Sequence, residues 1–177
     1  MAKLYYLDEV NNLGYGEFTD IFGNIVEHCP VIAAAVWSRR PFSDFRSMGK
    51  AFCDVLDDLP GCVKEGVLRC HPDLAGRLAQ MDTLTSESKN EQKTAGLLDL
   101  SVEEQLLLSK NNASYMSKFQ FPFVICAREN KKDTILTNIV IRQENCKDVE
   151  LNIGIEEVKK IARLRLMNII EMHQSNI

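Results

Sequence analysis

The sequence predicts an all-α domain, a single-domain multi-helix bundle spanning 1–177, and three observations point there. Apolar residues recur at intervals of three and four along most of the chain, while strict alternation, the mark of half-buried strands, is scarce. The 9 Gly and 5 Pro together make only 14 residues, which leaves out a disordered or collagen-like chain. At 45% hydrophobic and 26% charged residues over 177 positions, the chain is suited to one core that buries roughly 70% of the unfolded surface. There are no internal repeats and no low-complexity or linker-like stretches, so no domain boundary is expected.

The first helix is expected from about Tyr15 to Phe22, where Tyr15, Phe18, Ile21 and Phe22 share a face before Gly23 and Asn24 break it. A second follows Pro30. The run Val31 to Trp37 has no polar interruption and reads as a short helix buried on most sides, closed by Ser38-Arg39-Arg40-Pro41. Ser43 is a candidate N-cap for a third, along which Phe45, Met48, Phe52, Val55, Leu56 and Leu59 fall at helical spacing before Pro60. From Gly61 to Asp82 regularity drops, and this stretch, which contains His71, reads as loop. A helix from about Ser86 to Leu98 follows. Ser101-Val-Glu-Glu104 then forms a capping box for a long helix to about Phe119, ended by Phe121-Pro122. The apolar run Phe123 to Ala127 is either extended or one more helical turn, and its length after a proline favours extended. Asp133 or Thr134 caps a helix to about Gln143.

The last helix, about Asp148 to Met172, is the most periodic. Leu151, Ile155, Val158, Ala162, Arg165 and Ile169 share one face, so Arg165 interrupts an apolar stripe. A guanidinium there must snorkel, pair with a carboxylate or bind something in a cleft, because an unpaired interior charge costs several kcal/mol. Arg163, Lys159 and Lys160 lie on other faces and read as solvated charge.

Composition narrows the function. With 21 Lys+Arg against 25 Asp+Glu the formal net charge is −4, and no basic tract offers a surface for nucleic acid or anionic membrane. Small acidic metabolites stay open, since one local Arg suffices. The 6 Cys and 3 His show no CxxC or HxxxH pair, so neither a metal site nor a disulfide scaffold fits, and free thiols in a reducing compartment are expected. Lys3, Asp8 and Glu9 leave the N-terminal ten residues without the apolar core of a signal peptide. The longest apolar run, Val31 to Trp37, is too short to cross a bilayer.

Two residues stand out as candidate chemistry. His71, in Arg69-Cys-His-Pro-Asp-Leu-Ala-Gly76, is followed by a proline that restricts its backbone; a lone His is nevertheless more often structural than catalytic. Asp73 is placed either to hydrogen-bond it or to cap the turn at Leu74. Arg165 is the second. Glu91 aligns with Ser88, Ala95 and Leu98 on a helix, where spacing alone favours an ordinary surface glutamate. Phe121 to Ala127 reads as core, Arg128 as a surface cation, and Trp37 with Phe42 as a helix closure. No GxGxxG, P-loop or GxSxG elbow is present.

Several separated blocks, in order, carry a resemblance. They are Phe22-Gly-Asn24, Val36-Trp37 and Arg40-Pro-Phe42; Glu65-Gly with Leu68 to Gly76; and Leu84-Thr85, Ser88 and Glu91-Gln92. Further along stand Phe121-Pro-Phe-Val-Ile-Cys-Ala-Arg128, Glu156 to Ile161, and Leu164-Arg-Leu166. In these the chain resembles, over nearly its full length, the 2-oxo-4-hydroxy-4-carboxy-5-ureidoimidazoline (OHCU) decarboxylases of urate degradation. The resemblance implies an all-α homodimer that needs no metal or organic cofactor and converts OHCU to (S)-allantoin. By position it implies that His71, Glu91 and Arg165 are catalytic. Substrate contacts come, on the same basis, from Ser88, Lys89, Asn90, Glu91 and Gln92, from backbone groups of Phe123, Val124, Ile125, Cys126 and Ala127, and from Pro72 at the pocket border. Neither nucleic acid nor membrane is an expected partner. Relatives ending in a Ser-Lys-Leu-like address imply a peroxisomal location, but Ser175-Asn-Ile177 lacks the basic middle residue, which keeps a cytoplasmic alternative open. A catalytically silent relative and a hydrolase of another ureide are the competing functions.

Overall fold

A computed structural model describes residues 4–74 and 84–171. Among them are nine α-helices and one 3-10 turn, with no strand beyond a single parallel bridge between Tyr5 and Ile170, so the all-α expectation holds. The chain divides into two compact units, one of residues 1–60 and 159–177 and one of 61–158.

The first unit contains α1 (Leu7–Asn12), α2 (Tyr15–Phe22), α3 (Pro30–Trp37) and α4 (Phe45–Asp58). Its last element is the C-terminal part of α9 (Lys147–Met167). The sequence reading overlooks α1, whose six residues are too few for a period to register; the Glu9 side chain caps it by accepting from the Tyr6 N–H at 2.8 Å. α2 has the expected bounds and buries Phe18 and Phe22, whose rings lie 4.7 Å apart. α3 begins with Pro at its first turn and buries Ile32, Ala33 and Val36, but Val31 is exposed. It is therefore buried on one side rather than most, because its all-apolar sequence has no polar residue to mark the outer face. α3 packs between α2 and α4. The cap of α4 is Asp44, not Ser43, since the Asp44 carboxylate accepts the Ser47 N–H at 2.6 Å. The Arg40 guanidinium lies 4.4 Å from the Trp37 ring centroid and donates to the Asn11 carbonyl at 3.0 Å, tying the end of α3 to the end of α1.

The second unit holds α5 (Gly61–Arg69), α6 (Ser86–Thr94), α7 (Val102–Phe119), the 3-10 turn Ala127–Glu129, α8 (Lys132–Arg142) and the first part of α9. α5 corrects the loop expected from Gly61. Its polar composition and Gly66 hide the period, yet Val67 and Leu68 are buried and the Arg69–Glu65 pair at 2.6 Å supports its last turn. Residues 75–83 of that expected loop lie outside the described residues. Thr85 caps α6, which ends at Thr94 rather than Leu98 because Gly96 takes a positive φ of 72°. The Ser101–Glu104 capping box forms as expected, and α7 closes with Gln120 at a φ of 65°. α7 packs against α8, which starts at Lys132, just before the expected caps. The second unit's aromatic core gathers Tyr115, Phe119, Phe121 and Phe123. α9 ends at Met167; the rest of the helix expected to Met172 is a turn whose backbone pairs with Tyr5, and residue 172 is outside the described set.

Candidate active site

His71 emerges just beyond the C-terminus of α5, and its side chain is buried. Its N–H donates to the Leu68 carbonyl at 3.0 Å, and ring atom Nδ1 lies 3.0 Å from the Val67 carbonyl. A carbonyl oxygen only accepts, so Nδ1 carries the proton in this contact and Nε2 is the basic nitrogen of the neutral ring. The tautomer is thus set by the last turn of α5, the helix that the sequence pattern concealed. Pro72 and Asp73 follow, both half-buried.

Glu91 and Ser88 lie one turn apart on α6, and both are buried, so the surface reading suggested by spacing is overturned. Lys89 and Asn90 on the same helix are exposed. α6 packs against the 3-10 turn that begins at Ala127, which brings the Glu91 helix to the end of the Phe123–Ala127 segment. Residues 122–126 are neither helix nor strand, in keeping with an extended segment, and Phe123 to Ala127 are all buried.

Backbone groups of this segment were expected to be open to a ligand, and the structure divides them. The Val124 carbonyl accepts from Arg142 Nη1 at 2.9 Å. The Cys126 N–H donates to Glu157 Oε2 at 2.8 Å, and the Cys126 carbonyl accepts from Asn130 Nδ2 at 2.9 Å. These three groups are taken. No hydrogen bond joins the Phe123 N–H or C=O, the Val124 N–H, the Ile125 N–H or C=O, or the Ala127 N–H to another described residue. Burial, reinforced by nearby Glu129, pushes the Cys126 thiol up to about 11, so it stays protonated near neutral pH and is no nucleophile.

Arg142, Glu150 and Glu157 had no sequence signal as partners of this segment. Arg142 is buried, pairs with Glu150 at 2.6 Å and lies 4.5 Å from the Phe123 ring centroid. Glu150 also accepts from the Tyr115 hydroxyl and from Asn145 Nδ2. Burial, followed by the hydrogen bond to Glu150, pushes the Tyr115 phenol well above its ordinary range.

Arg165, near the end of α9, is buried, and of the three options open to it, pairing is realised: Nη2 lies 2.6 Å from Glu27 Oε2, and Nη1 donates to the Asn24 carbonyl at 2.9 Å. Glu27 is also buried, and His28 beside it sits at a positive φ of 51°. Lys159 is no free surface charge, since it pairs with Asp57 at 2.5 Å. Among the described residues no group of His, Cys, Asp or Glu is arranged to hold a metal ion, and no helix is long and apolar enough to cross a membrane.

The OHCU decarboxylase family model matches residues 11–167. The chain is 47% identical over 165 residues to the 2-oxo-4-hydroxy-4-carboxy-5-ureidoimidazoline decarboxylase of Mus musculus, covering 93% of each chain. To the protein of that name from Amia calva it is 48% identical over 163 residues, covering 92% of this chain and 93% of the other. A crystal structure of an OHCU decarboxylase in the presence of (S)-allantoin shares the fold, with a TM-score of 0.67 at 24% identity over 88% of this chain and 97% of that one. With a family model spanning most of its length and relatives near one-half identity, the chain belongs to the OHCU decarboxylase family.

Proposed function

We propose that this protein decarboxylates OHCU to (S)-allantoin in urate degradation, without a cofactor. The observation that carries the reading is the family match across residues 11–167, within which His71 is held in a defined tautomer.

The substrate explains why no cofactor is required. When the bond from the ring carbon to its carboxylate breaks, CO2 leaves, the electron pair forms a C=C bond to the neighbouring carbon, and the π pair of the adjacent ring C=N moves to nitrogen, which takes a proton from solvent to give an enamine-like intermediate. The hydroxyl on the same carbon then loses its proton and becomes the ring carbonyl, while the neighbouring carbon gains a proton. The protein has three tasks: to hold the carboxylate out of the ring plane, to stabilise the shifting charge, and to deliver the proton to one face.

His71 takes the hydroxyl proton through Nε2, the nitrogen left basic when Nδ1 donates to Val67. Glu91 accepts from substrate N–H groups or orients the imidazole, and Arg165 is the cation that meets developing oxygen charge. Ser88 to Gln92, Pro72 and the Phe123 to Ala127 backbone supply the remaining contacts, with the Ile125 N–H and C=O and the Ala127 N–H among the groups that no described residue occupies. The enzyme acts as a homodimer and resides in the peroxisome. Both follow family kinship, and light scattering and localisation of a tagged chain with and without 175–177 test them.

Following freshly made OHCU by ultraviolet absorbance and circular dichroism tests the reaction. Chiral allantoin forming faster than the spontaneous racemic product supports decarboxylation. No acceleration points to a silent relative, and a different product to a ureide hydrolase.

A further inference from the structure

We infer that Arg142 and Glu157 are positioning residues that aim the Ile125 N–H and C=O at the substrate's ureido or ring amide. The inference rests on the reading of Phe123 to Ala127 as a substrate-binding segment, and goes beyond it by naming what fixes that segment's polar groups.

Two peptide planes flank Ile125. One contains the Val124 carbonyl and the Ile125 N–H; the other contains the Ile125 carbonyl and the Cys126 N–H. Both are trans, so within each plane the N–H points away from the C=O. Arg142 holds the Val124 carbonyl at 2.9 Å, which turns the Ile125 N–H away from Arg142. Glu157 holds the Cys126 N–H at 2.8 Å, which turns the Ile125 carbonyl away from Glu157. One donor and one acceptor on a single residue are thereby oriented by side chains that are themselves buried, and neither bonds to another described residue. A donor beside an acceptor is the complement of an amide or ureido edge.

The anchors are stiff. The Arg142 guanidinium is pinned by Glu150 at 2.7 Å from Nε, and it lies against the Phe123 ring. Glu157 projects from α9, so the orientation of the segment is referred to a 21-residue helix rather than to a loop. A group ordered before the ligand arrives loses less entropy on binding.

The test compares kcat and KM for OHCU in Glu157→Ala, Glu157→Gln and Arg142→Lys, with far-UV CD and urea midpoints as folding controls. Glutamine keeps an oxygen that can accept the Cys126 N–H, so Glu157→Gln is expected to stay within about 2-fold of the wild-type KM. Glu157→Ala releases the plane and should raise KM about 10-fold, the equivalent of one hydrogen bond, with kcat within about 3-fold. Arg142→Lys cannot hold Glu150 and the Val124 carbonyl with one planar fork and should also raise KM, which keeps the test open if Glu157→Ala does not fold. Unchanged KM in a folded Glu157→Ala or Arg142→Lys overturns the inference, as does an equal loss in Glu157→Gln and Glu157→Ala. Wild-type protein that fails to accelerate the reaction overturns the decarboxylase reading and this inference together, whereas an active wild type with an indifferent Glu157→Ala overturns this inference alone.

Discussion

His71 illustrates how a single side chain acquires a role from its neighbours. The Val67 carbonyl at 3.0 Å selects the Nδ1–H tautomer, so the basic nitrogen is Nε2. His71→Asn should therefore lower kcat by about 10²–10⁴-fold with an unchanged far-UV CD spectrum, and a variant that retains wild-type turnover would remove His71 from the mechanism. Arg165 is harder to isolate, because it and Glu27 form a buried pair at 2.6 Å. Removing one partner strands the other charge, so Glu27→Ala should cost about 3–5 kcal/mol in a urea titration. A loss below about 1 kcal/mol would mean that Arg165 finds compensation elsewhere. The same pair decides among the options that the apolar stripe left open: Glu27 gives Arg165 a structural reason, so its place in the stripe does not by itself require a ligand. The stripe made Arg165 visible, while Glu27 was invisible beside it, because the Asn24 to Glu27 turn lies about 140 residues away in the chain.

At the level of elements, legibility followed length and amphipathicity. The capping box at Ser101 and the bounds of α2 could be read because side-chain capping and spacing are local. α1 and α5 could not, one for brevity and the other because only Val67 and Leu68 of its nine residues are buried. That second omission mattered, since α5 supplies the carbonyl that orients His71. The turn after α2 offers a sharp test. A Cβ added at Gly23 would clash with the Thr19 backbone carbonyl oxygen, which cannot swing aside as a side chain would. Gly23→Ala should destabilise by about 1–3 kcal/mol, and an unchanged urea midpoint would show that the turn can relax.

Across the second unit, half-buried ion-paired groups make stability depend on pH. The hydrogen bond from Lys147 is the largest influence lowering the Glu65 carboxyl below its ordinary 4.5. The Ser101 N–H, then Lys132, does the same to Glu104. A carboxyl lowered on folding adds stability that is complete above its unfolded value and is lost as pH falls through the folded value. Glu104 in turn raises Lys132 above its ordinary 10.5, and that contribution is complete below the unfolded value and is lost as pH climbs through the folded one. The urea midpoint should therefore fall below about pH 4.5 and again above about pH 10.5, and less steeply at the acid end in the Glu65→Gln, Glu104→Gln double variant. An acid limb identical in that variant would assign the loss to other groups.

What the amino-acid sequence determined by itself was the helical class, most helix starts, the family blocks and the three residues proposed for catalysis, because period, caps and motifs are local properties of the chain. What only the tertiary structure decided was each residue's partner. Glu91 looks like a surface glutamate in its own helix and is buried, because burial depends on what packs against α6. Cys126 finds Glu157 31 residues away, and Val124 finds Arg142 18 residues away, so the groups left over for a ligand at Ile125 emerge only once those contacts have formed. Hydrogen bonds and ion pairs across such separations have no signature in spacing, since the chain between the partners is free to take any path that closes the contact.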